Sequence, residues 1–223
     1  MATPANKTIK NLNGSWTMDK SLSTPTENIF KLQGLGWVLR KAIGVATITL
    51  HIHTYPDTED SKILHVDVDQ TVTGGLKGTT EIRVTDGKER DHKDHIFGSN
   101  KGESFLIRAA KGDDGKTRPK FQVRSKVGNE ADDAKVAKFL RGEILADGSP
   151  SEGFLVDDEG EEYGEGEGLY LHSWVVNLDS GWTAEQIWGF EIVNGERRYA
   201  RRVAVVKDGK YELARLVYSY VEN

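Results

Sequence analysis

The sequence predicts an all-β protein, a single antiparallel β-barrel of about ten strands with a short N-terminal helix-turn-helix cap. Short runs of alternating apolar and polar residues recur along the chain at intervals of roughly 8–15 residues. Near the C-terminus, Asn194-Gly195 and Asp208-Gly209 separate three longer runs, as hairpin turns do. Helix signals are concentrated before the first long strand. We expect one domain over residues 1–223.

Composition excludes several classes of protein. The chain of 223 residues has no cysteine, which removes disulfides, thiol nucleophiles and thiolate metal sites. Its net charge of −5 gives no electrostatic footprint for nucleic acid. No apolar run approaches the ~20 residues of a membrane span, and the first residues lack the apolar core of a signal peptide. We therefore predict a cytoplasmic protein with no nucleic-acid partner and no membrane span.

The N-terminal part carries a strand and two short helices. Gly14 lets the backbone approach a neighbour closely, and Trp16 is a large apolar side chain for the core. Thr24, Pro25 and Glu27 have the spacing of a helix start, with Thr24 as the cap and Gly34 as the stop. A second helix is predicted over residues 37–43, ended by a glycine at 44.

The middle of the chain alternates as half-buried strands do. Strands are predicted over residues 46–55, 62–72, 79–85, 90–97, 104–109, 120–124 and 169–177. In the second of these Gln70 lies on the apolar side, and in the third Ile82 and Val84 are the apolar positions. A helix is predicted over 132–140, followed by a loop over about 148–168 with seven carboxylates between Asp157 and Glu167.

The three C-terminal strands form a meander whose register follows from two-residue turns. Phe190 then faces Tyr199, and Trp188 faces Arg201. In the second hairpin Tyr199 faces Tyr218. One face of this meander is an aromatic wall with one buried cation, and the other resembles a partly wet exterior. If the Asp208-Gly209 turn were a three-residue loop with a bulge, Arg215 would take the place of Tyr218 on the wall.

This wall supplies the candidate site. Aromatic side chains offer stacking surface, and Arg201 and Gln186 offer hydrogen-bond donors. The alternative is that the aromatics are ordinary core and Arg201 pairs with a glutamate. We predict Arg201, Gln186 and Tyr218 as catalytic residues. The predicted ligand contacts are Trp188, Phe190, Tyr199, His95 and Arg215.

Histidines and carboxylates in residues 90–97 raise the question of a metal site. In a strand His92 and Asp94 share one face and His95 points to the other, which is poor geometry for one ion. His95 is instead a weaker candidate for a catalytic role, as a hydrogen-bond donor that turns inward. The sequence contains no nucleophile elbow, phosphate loop, dinucleotide fingerprint or zinc-protease helix. We predict neither a metal nor a cofactor.

Two sets of motifs resemble known families. Gly14-x-Trp16, followed by LQGLGWVLRK over residues 32–41, resembles the first strand and helical lid of fatty-acid-binding proteins, which are calycins like the lipocalins. Over its full length the chain resembles fungal lipocalin-like proteins in DQTVTGG at 69–75, DHIFG at 94–98 and WTAEQIWGFE at 182–191. Arg215, Tyr218 and Tyr220 loosely resemble the carboxylate clamp of fatty-acid-binding proteins, at a spacing of three instead of two.

The resemblance implies a calycin/lipocalin-like barrel that binds a hydrophobic small molecule. Relatives of the fungal group act as hetero-Diels–Alderases in natural-product biosynthesis, which implies a cofactor-free pericyclase. The first alternative is a non-catalytic intracellular carrier of a fatty acid or similar ligand. The second is a filled barrel that acts as a stress or interaction protein. We expect a monomer or a weak homodimer.

Overall fold

A computed structural model describes residues 1–74, 78–156 and 168–222. Its strands form one antiparallel sheet that curves into a barrel, in the order β4-β3-β2-β1-β11-β10-β9-β8-β6-β5, with β7 paired to β6. The strands are β1 (Gly14–Met18), β2 (Ile48–Pro56), β3 (Leu64–Val72), β4 (Thr80–Val84), β5 (Arg90–Asp94), β6 (Gly98–Lys111), β7 (Thr117–Pro119), β8 (Leu169–Asn177), β9 (Thr183–Val193), β10 (Glu196–Lys207) and β11 (Lys210–Val221). The helices are α1 (Glu27–Leu32), α2 (Trp37–Val45) and α3 (Glu130–Leu140). The predicted fold class is confirmed, with eleven strands among the described residues where about ten were expected in the chain.

The meander has the register that two-residue turns dictate. Phe190 pairs with Tyr199, Trp188 with Arg201, and Tyr199 with Tyr218. Asn194 and Asp208 have φ angles of 50° and 51°, and the glycines that follow them are also at positive φ. Both turns therefore have the type I′ conformation that Asn-Gly and Asp-Gly favour. The bulged alternative for the second turn is wrong.

The barrel wall is incomplete at one place. Between the described parts of β4 and β5 no ladder is formed, so each of these strands has one unpaired edge. The chain after β4 instead reaches β6 through an isolated bridge between Asp86 and Phe105. This gap lies on the side of the barrel, away from the meander.

One half of the barrel interior is filled. Trp16 of β1 packs against Phe190, Tyr199 and Tyr220, with ring centroids 6.5, 5.2 and 5.0 Å away. Trp16 is fully buried, as are Phe190 and Tyr199. Trp16 Nε1 donates to the Leu12 carbonyl at 2.8 Å, so the indole is satisfied inside the core.

The outer face of the meander is not wet, contrary to expectation. The chain between β7 and residue 156 packs α3 and its flanking loops against this face and forms a second apolar cluster. Phe139 of α3 is fully buried there, beside Ile187 of β9. Arg202 is also fully buried, and it donates to both oxygens of Glu191 and to the Ile144 carbonyl. An additional layer of chain therefore covers β9 and β10.

Local assignments differ from the predictions at several places, and α2 runs through the glycine at 44 that was expected to end it. Thr24 does not cap α1, whose first residue is Glu27. Thr24 Oγ1 instead accepts a hydrogen bond from the Arg215 amide at 3.1 Å. Residues 120–124 form no strand, because the Arg124 amide donates to the Glu185 carboxylate instead of to a neighbouring strand. The predicted strand at 104–109 is part of the longer β6, and the one at 90–97 ends at residue 94. All seven carboxylates that the sequence places between residues 157 and 167 lie outside the described residues.

Candidate functional site

A cavity of about 450 Å³ occupies the other half of the barrel interior, beneath the two N-terminal helices. Its apolar part is lined by the helices and by the ends of several strands. The residues are Ile29, Phe30, Ile43, Phe97, Trp182 and Val205. Phe97 packs edge-on against Trp182 at 5.8 Å and lies 6.4 Å from Phe30 of α1, which ties the helical cap to the barrel rim. Such a volume and lining are typical of a small-molecule site.

A polar cluster lies where the cavity meets the filled half. Arg201 is 3% exposed, and its guanidinium stacks 3.6 Å above the Trp188 ring centroid. Its Nε donates to the Tyr199 hydroxyl at 2.9 Å, and Nη1 reaches Glu81 only at 3.5 Å. Nη2 has no hydrogen-bond partner among the described residues. The cation is thus held by aromatic rings and is only partly neutralised by a carboxylate.

Glu81 of β4 is the carboxylate of this cluster, and Arg83 is its second cation. Arg83 Nη2 donates to Glu81 at 3.0 Å, and Gln70 Nε2 donates to the other Glu81 oxygen at 2.8 Å. Burial disfavours the charged carboxylate, but Arg83 and Arg201 outweigh burial and lower the pKa of Glu81. Two cations and one carboxylate leave the cluster with a surplus positive charge.

Two further side chains offer donors to the cavity. Gln186 accepts from Trp188 Nε1 at 2.9 Å through its amide oxygen, which leaves its amide nitrogen as a donor on the cavity wall. Tyr218 also lines the cavity, and burial raises the pKa of its hydroxyl to about 12 despite the opposing charge of Arg201. The Tyr218 hydroxyl therefore stays protonated at neutral pH and can donate a hydrogen bond.

The structure brings the three predicted catalytic residues together on the cavity wall: Arg201, Gln186 and Tyr218. Trp188, Phe190 and Tyr199 lie behind that wall instead, because they are fully buried in the filled half. These three aromatics are therefore core residues, as the alternative interpretation of the aromatic wall held, and they do not line the cavity.

Two predicted ligand contacts lie elsewhere. His95 is exposed in the turn after β5 and does not line the cavity. Arg215 lies on the outer face of β11, opposite Arg202, and its Nη1 is 3.2 Å from Glu191. The side of the strand on which Arg215 lies follows directly from the two-residue turn at Asp208-Gly209.

Sequence reasoning missed Glu81 and Arg83. Apolar alternation made Ile82 the inward position of β4, yet Ile82 is 62% exposed, and the register places Glu81 beside Val68 and Arg83 beside Val66. The available signal was Gln70, a polar residue on the apolar side of β3. A buried amide needs a partner, and the adjacent strand supplies it.

The chain was compared with protein families, with known proteins and with solved structures. No protein-family model matches the chain. It is 27% identical over 221 residues to the pericyclase pydY of Acremonium sp., which covers 99% of this chain and 97% of that protein. It is 25% identical over 220 residues to the probable pericyclase scpY of Mollisia scopiformis, covering 99% and 95%.

Both of these similar proteins are fungal, and both are named as pericyclases. Among solved structures it is similar to lipid binding protein 8 of Caenorhabditis elegans, with a TM-score of 0.52, 13% identity and coverage of 97% of this chain and 100% of that one. A mutant of the fluorescent protein UnaG gives a TM-score of 0.50 at 13% identity, with coverage of 96% and 98%. These likenesses confirm the predicted calycin-like barrel.

Among the described residues, no helix has the length and apolarity to cross a membrane. The same residues contain no group of three or more histidine, aspartate or glutamate side chains that could hold a metal ion.

Proposed function

We propose that the protein is a cofactor-free pericyclase that folds an apolar, unsaturated substrate inside the barrel cavity and promotes a cyclisation of the hetero-Diels–Alder type. The observation that carries this proposal is the incompletely paired Arg201 guanidinium on the polar wall of a cavity that also has an apolar part. Similarity to fungal pericyclases along the whole chain supports it.

The chemistry needs a reactive pose and a polarised carbonyl. The rigid wall holds diene and dienophile together, and well-oriented reactants can gain up to ~7–11 kcal/mol in this way. Arg201, Gln186 and Tyr218 donate hydrogen bonds to a carbonyl oxygen of the substrate. These bonds lower the energy of the acceptor orbital, and one preorganised donor of this kind contributes roughly 10²–10³ in rate. No nucleophile takes part, since bonds form within the substrate alone.

The apolar part of the cavity sets the substrate class. Phe30, Phe97 and Trp182 present ring faces and edges to the end of the ligand that lies away from Arg201. A hydrocarbon or polyene segment joined to an oxygen-bearing head group matches this arrangement of apolar and polar walls. We further propose that the protein acts in the cytoplasm as one domain, as a monomer or weak homodimer. Cell fractionation and size-exclusion chromatography test these points.

Arg201→Met is the decisive variant. Methionine keeps the unbranched chain over Trp188 but removes the donors and the charge. With a linear triene bearing an α,β-unsaturated ketone as substrate, we expect turnover to fall by roughly 10²-fold while the variant remains folded. Arg198→Met, on the outer face of the same strand, is the matched control and should retain full turnover. Equal turnover of the two variants would remove Arg201 from the site.

The second candidate function is a non-catalytic carrier of a fatty acid or similar ligand. It is favoured by the surplus positive charge beside the cavity, which suits a carboxylate, and by the lipid binding that the name of one structural relative records. Native mass spectrometry of the purified protein distinguishes the two functions. A co-purified fatty acid, together with an inert triene substrate, would identify the carrier.

A further inference from the structure

A histidine and an aspartate on the cavity wall are not used by the proposed cyclisation. His92 and Asp94 alternate along β5, and both line the cavity. Asp94 Oδ1 accepts from the amides of Ile96 and Phe97, each at 2.7 Å, which fixes the carboxylate. Asp94 Oδ2 lies 3.6 Å from His92 Nε2. The carboxylate is thus rigid and has one oxygen directed at the imidazole.

This pair has the properties of a proton-transfer device. The His92 side chain is 43% exposed while Asp94 is 11% exposed, so the imidazole contacts both the cavity and water. A residue that moves protons must exchange them with solvent after each event, and a fixed carboxylate beside it orients the imidazole. Separations of this length shorten to hydrogen bonds in many enzymes when a substrate binds.

Several charged side chains near His92 are paired with other residues and not with its imidazole. On β5, Arg90 is paired with Asp86 at 2.7 Å, and on β6, Glu103 is paired with Arg124. Lys88, Asp91 and Asn100 also face this part of the cavity. Across the gap, Glu81 of β4 lines the same cavity as His92. Arg201 also lines this cavity, and its Nη1 lies 3.5 Å from Glu81.

We propose that His92 is a catalytic base that enolises a carbonyl compound bound at Arg201, and that Asp94 is its positioning residue. This inference rests on the proposed function, because it requires the carbonyl oxygen to lie at Arg201. The substrate class is then a ketone or acyl compound with hydrogen on the carbon beside the carbonyl.

The step balances without an oxidant or a cofactor. The proton on that carbon moves to the His92 nitrogen that does not face Asp94. The C–H electron pair becomes the new C=C bond, and the carbonyl π pair moves to oxygen, where Arg201 stabilises the enolate. The imidazolium then returns its proton to the enolate oxygen, giving the enol, or to carbon. Enols and enolates are electron-rich alkenes, so the step would supply one reacting partner of a cyclisation.

Deuterium exchange tests the inference without a cyclising substrate. The protein is incubated with 2-undecanone in D₂O buffer, and deuterium uptake beside the carbonyl is followed by mass spectrometry. Quenching of tryptophan fluorescence measures binding in the same samples. We expect wild type to accelerate uptake and His92→Gln to lose at least about 10-fold of that acceleration with unchanged binding. Asp94→Asn should slow exchange and move the midpoint of its pH profile, which a merely structural role would not do.

His53→Gln is the matched control, because His53 is exposed on the outer face of β2 and does not line the cavity. It should exchange at the wild-type rate. If the ketone binds and His92→Gln exchanges as fast as wild type, the inference is overturned while the proposed cyclisation stands. If the ketone does not bind wild type, the proposal of a carbonyl site at Arg201 fails, and this inference fails with it.

Discussion

The charge balance of the polar cluster predicts an asymmetry between two substitutions. Glu81→Gln leaves two buried guanidinium groups without a counter-charge, whereas Arg201→Met leaves Glu81 still paired with Arg83 at 3.0 Å. At an effective dielectric constant of about 20, each attraction between unit charges at these separations is worth up to ~5 kcal/mol before desolvation. Glu81→Gln removes both attractions and keeps the repulsion between the cations.

The expected loss in the free energy of unfolding depends on how deeply the charged groups are buried. Breaking a buried ion pair typically costs ~3–5 kcal/mol, and the 22% exposure of Glu81 lowers the expected value to about 2–4 kcal/mol. Arg201→Met loses a cation–π contact of up to ~2 kcal/mol and a hydrogen bond to Tyr199, but it relieves the desolvation of one cation. We expect about 0–2 kcal/mol for this variant.

Urea unfolding at pH 7, followed by tryptophan fluorescence, measures both costs. The double variant completes the cycle, and we expect it to be more stable than Glu81→Gln alone, because it removes one of the two unneutralised cations. A cost for Arg201→Met equal to or above that of Glu81→Gln would refute the assignment of surplus positive charge to this cluster.

Three other predictions concern the cavity wall and the outer layer of chain. Tyr218→Phe should lower turnover by roughly 10-fold and change the free energy of unfolding by less than about 1 kcal/mol, because the Tyr218 hydroxyl bonds to no described residue; unchanged turnover would exclude it as a donor. Gly189→Ala should destabilise by about 1–3 kcal/mol, since a Cβ there would lie 2.7 Å from Phe154 Cδ1, and Phe154→Leu in the same chain should recover part of the loss. The pKa of Glu81 is lowered on folding from its ordinary 4.5, so its stabilising effect is present above pH 4.5 and is lost as the pH falls through the lowered value. The Tm difference between wild type and Glu81→Gln should accordingly shrink between pH 7 and pH 3, and a constant difference would contradict this assignment.

Sequence reasoning succeeded where structure is determined locally. The turns at Asn194-Gly195 and Asp208-Gly209 require positive φ at both positions, so the residue types alone fix the register of β9, β10 and β11. That register places Arg201 against Trp188 and beside Tyr218.

Sequence reasoning failed where a partner comes from a distant part of the chain. β4 presents Glu81 inward because Arg201, which lies on a strand far away in the sequence, supplies a counter-charge. Likewise, the outer side of β9 has the composition of a wet surface, but α3 and its loops cover it. Neither contact is encoded in the alternation of a single strand, and both depend on closure of the barrel.

The layer of chain outside β9 and β10 has a consequence for how the barrel moves. Glu185 lies between Ala184 and Gln186 in the sequence, and these two neighbours face the barrel interior. The Glu185 carboxylate accepts hydrogen bonds from the backbone amides of Arg124 and Ser125. Arg202, next to Arg201, is anchored to the loop carbonyl of Ile144. The outer layer thus restrains β9 and β10, the strands that carry Gln186 and Arg201, whereas β4 and β5 each have one edge unpaired among the described residues. The molecule therefore has a braced side, which carries the proposed donors, and a less constrained side formed by β4 and β5. Amide hydrogen exchange should therefore be slowest in β9 and β10 and fastest in β4 and β5.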